Sequence, residues 1–291
     1  MTAESLHHQW QPIGAISTSS LLDARLQLHW AVQIVGSFGN TVLEPQADDS
    51  QSNLGWVDSQ GALCSHASSD GICVGLRLAD LTLLFFTPQH TTPIELRLSA
   101  QTLQQALVWL ATTYAQASGS AAPKPFALRD YDMPAHPVAQ GMPFSMNDSV
   151  PYQELHRWYS NANSAIHEIT APWSQALPIR CWPHHFDIAT LVALDPEKGS
   201  EDARSVGCGM SPGDHTYPEP YFYVTPWPYP KKETLPALSG GFWHTEGWVG
   251  AILTTSVLTE TKSNETQAQQ VQQFFHDGTQ AAFVALGATP V

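Results

Sequence analysis

Leu26-Gln27-Leu28-His29-Trp30-Ala31-Val32-Gln33-Ile34-Val35 alternates without a break. Leu26, Leu28, Trp30, Val32 and Ile34 fall on one set of positions, and Gln27, His29, Ala31 and Gln33 on the other. Successive side chains of a strand point to opposite faces, so this period of two predicts a half-buried strand over 26–35. Working outward, Leu54–Asp58 and Ala62–His66 flank Ser-Gln-Gly and predict a hairpin. Ile72–Leu78 and Leu81–Phe86 flank Ala79-Asp80 and predict another, with a short strand at Ile94–Leu98. A helix follows over about 100–117, with Leu103, Ala106, Leu107, Leu110 and Tyr114 at helical spacing and Ser99 as its expected N-cap.

Residues 118–147 are rich in Ser, Ala, Gly and Pro and read as a surface connector. A second helix is predicted over about 151–169, capped by Asp148 or Ser149, with Leu155, Trp158, Tyr159, Ala162 and Ile166 on its apolar stripe. Strands are expected at Ile179–Trp182, Phe186–Leu194, Ser205–Gly209, Tyr221–Thr225 and Gly241–Glu246, and a solvated loop at 195–204. A last helix over 265–286 carries Asn264 and Gln267 as an expected capping-box pair. The class is α+β, with mainly antiparallel sheets and helices on one face. The chain reads as one compact unit of 1–291, or as two meander-plus-helix halves, 20–117 and 148–291, joined by 118–147.

The chain has 291 residues, 43% hydrophobic, with 10 Trp, which is ample for a core. Its formal charge of −14 repels phosphate backbones and anionic lipid, so neither nucleic acid nor membrane is an expected partner. Met1–Gln11 carries neither the basic nor the apolar region of a secretory signal. Cys64, Cys73, Cys181 and Cys208 show no paired short spacing and read as reduced thiols of a cytoplasmic protein, with a Cys64–Cys73 bridge as the alternative.

Chemistry-bearing residues crowd into 180–228. Trp182-Pro183-His184-His185-Phe186-Asp187 opens the stretch, Gly209-Met210-Ser211-Pro212-Gly213-Asp214 lies in its middle, and Pro220-Tyr221-Phe222-Tyr223 closes it. These motifs, with Leu26–Gly36, resemble a bacterial family of uncharacterised proteins. The resemblance implies a full-length soluble domain, with Asp187 and the Ser-Pro-Gly turn closer to the family pattern than His184.

On a strand, His185 and Asp187 would share a face, as would His244 and Glu246. Four such nitrogen and oxygen donors suit a divalent Zn, Fe or Mn, which would activate water for hydrolysis of a small molecule. In that reading His185, Asp187 and Asp214 are the catalytic groups, and Trp182, Tyr221 and Tyr223 line the ligand site. The competing reading is a non-catalytic ligand-binding or interaction domain, in which the same residues form a structural polar network. Gly209–Gly213 also fits G-x-S-x-G, but Pro212 has no N–H for an oxyanion hole, so the better reading is a tight turn that aims Asp214. Tyr221–Tyr229 reads either as a ligand wall or as an edge strand whose prolines stop further pairing.

Overall fold

The structure, a computed structural model, describes residues 10–198, 203–259 and 263–288. Most of Met1–Gln11 and part of the 195–204 loop therefore lie outside the described residues. The chain is α+β with two antiparallel sheets. It forms two compact units: residues 20–156 with 180–186, and 157–179 with the described parts of 1–19 and 187–291. We call them the meander unit and the tyrosine unit.

The meander unit opens with a correction. Residues 26–35 are not a strand but the middle of helix α1 (Thr18–Val42). The alternating stretch also satisfies helical spacing: Leu21, Ala24, Leu28, Ala31, Val35 and Phe38 recur at intervals of three and four, and all are buried. Gln27 and Gln33, expected to face water, are 1% and 4% exposed, whereas Leu26 and Trp30 are only half-buried. A strand could not bury its polar set in this way. The helix can, because Gln27 donates to Ser145 O (2.7 Å) and Gln33 to Pro183 O (2.6 Å).

Five strands follow in a meander: β1 (Gly55–Val57), β2 (Ala62–Cys64), β3 (Cys73–Arg77), β4 (Thr82–Phe86) and β5 (Ile94–Arg97), each paired antiparallel to the next. Both expected hairpins are present. Helix α2 (Leu103–Ser118) is capped by Thr102, which makes a capping box with Gln105, and not by Ser99. Ala100 adopts φ 70°, so the chain turns there and the helix begins three residues later. Trp109 of α2 meets Phe85 of β4 edge-on, and Tyr114 meets Phe38 of α1. The 118–147 connector holds one short 3-10 turn, Pro137–Gln140. β6 (Arg180–Trp182) bridges back through Cys181, which exchanges two 2.8 Å hydrogen bonds with Leu54.

The boundary between the units falls inside helix α3 (Val150–Thr170), between His156 and Arg157. The tyrosine unit holds β7 (Asp187–Ala193), β8 (Ser205–Ser211), β9 (Tyr221–Trp227), β10 (Phe242–His244) and β11 (Gly250–Thr254), in the spatial order β10-β11-β9-β8-β7. β9 is therefore interior, paired with β8 and β11, and not the edge strand that its prolines invite. Its Pro226 sits opposite Val206, beyond the last residue paired with β11, where no β11 carbonyl needs its missing N–H. Helix α4 (Thr255–Thr259) and helix α5 (Asn264–Ala285) complete the unit. The N-cap of α5 is Ser263, which accepts from Thr266 N. The Asn264 side chain, expected to pair with Gln267 in a capping box, lies outside what is described, and Gln267 itself contacts residues 10–13.

The registers sort this sheet into two faces. Val206, Cys208, Met210, Phe222 and Val224 share one face, and α3 and α5 cover it: Trp158 and Phe275 both pack on Phe222 at 5.5–5.6 Å. The other face carries Asp187, Gly209, Ser211, Tyr221, Tyr223 and His244. Among the described residues no helix is long and apolar enough to cross a membrane.

Candidate functional site

Strand alternation in β9 puts Tyr221 and Tyr223 together on the face away from the helices. Tyr223 lies across Gly209, its partner in β8. A Cβ on that glycine would stand 2.3 Å from the ring carbon Cζ and 2.4 Å from the hydroxyl. Only glycine leaves room for the ring, which then reaches Asp187 at the start of β7 and donates its hydroxyl to Oδ2. Burial, reinforced by the Asp187 charge, pushes the Tyr223 phenol well above its ordinary range, so it stays a donor.

The neighbouring pair repeats the arrangement. Tyr221 donates to Asp214 Oδ2 at 2.6 Å, and burial beside Asp214 raises its pKa as well. Asp214 Oδ1 accepts from the backbone N–H groups of Thr216 (2.7 Å) and Tyr217 (2.9 Å). The Ser-Pro-Gly turn therefore does aim Asp214, and its target is Tyr221. No helix follows Ser211, so the nucleophile-elbow geometry is absent.

Tyr217 extends the network. Its hydroxyl lies 2.9 Å from His244 Nδ1, and His244 Nε2 lies 2.7 Å from Glu246 O. A carbonyl can only accept, so Nε2 carries a proton and donates to Glu246 O, while Nδ1 is paired with the Tyr217 hydroxyl. Both ring nitrogens are occupied. β10 ends at His244, so Glu246 lies beyond it, and it is the Glu246 backbone, not its carboxylate, that meets the imidazole. The expected His244–Glu246 strand pair is thus corrected.

His185 and Asp187 do not share a strand either. β7 begins at Asp187, and 183–186 is a turn closed by His185 N and Phe186 N on Trp182 O. Phe186 sits at φ 56°, a left-handed conformation that breaks the extended backbone on which i, i+2 alternation depends. The two residues belong to different units.

In the meander unit His185 is exposed and its ring lies 4.1 Å from that of His184. His184 in turn meets Tyr131 at 5.0 Å and Trp182 edge-on at 6.1 Å. The turn is held from beneath by His29 of α1, a residue that a strand reading gives no role. His29 Nε2 donates to Pro183 O (3.0 Å) and His184 O (3.2 Å), and its ring stacks on Phe186. Burial lowers its pKa to about 4.

No family model, curated protein or solved structure matches the chain.

Among the described residues no three His, Cys, Asp or Glu side chains gather as a set that could hold a metal ion. The thiols are equally quiet. Burial pushes Cys64 and Cys208 up to about 12 and raises Cys73, and none of the four cysteines is in a disulfide. The residues that sequence reasoning missed are Tyr217, His29 and Gln33. The only sequence signal for Tyr217 is its place three residues after Asp214, where an Asx-type turn returns the chain.

Proposed function

We propose that the protein is a non-catalytic binding or interaction domain, and that its tyrosine, histidine and carboxylate set is a structural network. The supporting observation is that its acid–base groups are already engaged: Asp214 accepts three hydrogen bonds, Asp187 takes the Tyr223 hydroxyl, and both nitrogens of His244 are bonded. Metal-assisted hydrolysis needs imidazole and carboxylate donors pointing at a shared open position, with a base beside it. Here Nδ1 of His244 faces a phenol. Tyr221 and Tyr223 spend their hydroxyls on carboxylates, so they brace the sheet and offer little as ligand walls.

The test is elemental analysis of untagged protein after incubation with Zn, Fe or Mn and removal of excess metal, together with the stability of Asp187→Ala. Substoichiometric metal and a marked loss of stability in the folded variant support the structural reading. Near one equivalent of metal, lost in both His185→Ala and Asp187→Ala while the fold persists, overturns it.

A further inference from the structure

Residues 10–13, Trp-Gln-Pro-Ile, lie outside helix and strand in the tyrosine unit, as a strap that two deeply buried amides hold by its backbone. Asn161 of α3, 2% exposed, takes Gln11 with both ends of its amide: Gln11 N donates to Oδ1 (3.0 Å) and Nδ2 donates to Gln11 O (2.7 Å). Gln267 of α5, 6% exposed, does the same two residues on: Ile13 N donates to Oε1 (3.3 Å) and Nε2 donates to Ile13 O (2.9 Å). The Trp10 indole N–H shares the Gln267 oxygen at 3.3 Å, and the side chains of Trp10 and Ile13 are buried.

This arrangement copies one edge of a β-ladder. Amide side chains supply the alternate donor and acceptor pairs that a neighbouring strand would supply. Recognition at i and i+2 reads an extended backbone, and the two buried side chains read an aromatic and an aliphatic residue. Pro12 fits between the clamped residues because it has no N–H to satisfy, and it restricts Gln11 to extended conformations, which lowers the entropy lost on docking. Gly14, at φ 80°, turns the chain away immediately after Ile13. Packing of residues 10–13 alone does not require two buried, bidentate amides, which carry a desolvation penalty whenever they lack these backbone partners.

We propose that the surface of α3 and α5 marked by Asn161 and Gln267 is a binding site for an extended peptide, that residues 10–13 are its resident occupant, and that a peptide with an aromatic-x-Pro-aliphatic pattern competes for it. The acidic chain favours a neutral or basic peptide. This inference concerns a different place from the tyrosine–carboxylate network, so it can fail while the reading above stands.

The probe is a fluorescein-labelled synthetic peptide with the sequence of residues 10–17. It is titrated into the full chain carrying Trp10→Ala and Ile13→Ala, which weakens the resident strap. Saturable binding near one peptide per chain is expected. Binding should fall by about tenfold or more when Gln267→Leu is added, or when the peptide's Trp is replaced by Ala. The wild-type chain gives an independent reading: excess peptide should speed amide exchange at Gln11 and Ile13 and leave the middle of α5 protected. That measurement decides the matter if the double variant does not fold. Failure of the peptide both to bind a folded double variant and to expose the wild-type strap overturns the proposal, as does equal binding of a scrambled peptide.

Discussion

Asp187 and His185 are two residues apart, yet the tyrosine sheet and the turn that precedes it use their polar groups in opposite ways. In the sheet, each carboxylate is met by a tyrosine hydroxyl from β9, and the partners are fixed by strand register over Gly209. In the turn, the His184 and His185 rings lie 4.1 Å apart and tilted to each other with His185 exposed, and the structural work falls to a third histidine, His29, which comes from a helix about 150 residues earlier in the chain. The dense motif therefore contributes residues to both units, but the residues that look most reactive are not the ones that hold the structure together.

The largest effect that tests this contrast is in pH. Folding holds His29 at about 4 against an ordinary value of 6.5. As pH falls, the unfolded chain takes up this proton first, so the stability contribution is full above 6.5, declines through the window to about 4 and levels off below it. The loss amounts to about 3 kcal/mol across that window. Urea unfolding from pH 7 to pH 4 measures it. His29→Gln keeps a donor for the two carbonyls and should flatten this part of the profile. A wild-type profile with no slope there would remove His29 as the support of the turn.

Next in size is Gly209→Ala. Its Cβ would stand 2.3 Å from the Tyr223 ring and 2.8 Å from Ala189. Overpacking of this kind costs about 2–3 kcal/mol, read as a shift in the denaturation midpoint. An unchanged midpoint would show that the Tyr223 ring can move off the glycine.

Asp187→Ala should cost about 2 kcal/mol, because it strands a buried phenol. A double-mutant cycle with Tyr223→Phe sharpens the point: a coupling near 1 kcal/mol or more is expected for a bonded pair, and additive effects would break the network account. Tyr217→Phe, at a half-buried residue, should cost about 1 kcal/mol. His185→Ala is the smallest change, within about 0.5 kcal/mol, since the side chain is exposed. A larger loss would erase the difference between the two regions.

Local patterning carried most of the elements. Both hairpins of the meander unit, the helices at 103–118 and 150–170, and strands β7 to β10 stand within a few residues of where turn residues and apolar spacing place them. The Tyr221/Tyr223 face was legible for the same reason, because period two survives in β9. Residues 26–35 were misread because their alternation coexists with a three-and-four spacing. What chose between them was remote: Ser145 and Pro183 supply the partners that let Gln27 and Gln33 be buried. β11 (Gly250–Thr254), an apolar run with no turn signal separating it from the residues that follow, is an element that patterning did not resolve.

The sequence by itself determined the α+β class, the antiparallel pairing of short strands, and the crowding of polar and aromatic residues into 180–228, because these follow from periodicity and from turn chemistry within a few residues. Tertiary structure alone decided which of those residues meet. The φ of Phe186 separates His185 from Asp187 on the strand pattern, the register of β8 against β9 brings Tyr223 over Gly209 to Asp187, and the burial of Asn161 and Gln267 turns two ordinary amides into a clamp on the strap. Each depends on backbone groups far apart in the chain, and a polar side chain acquires its role only from the partner that folding supplies.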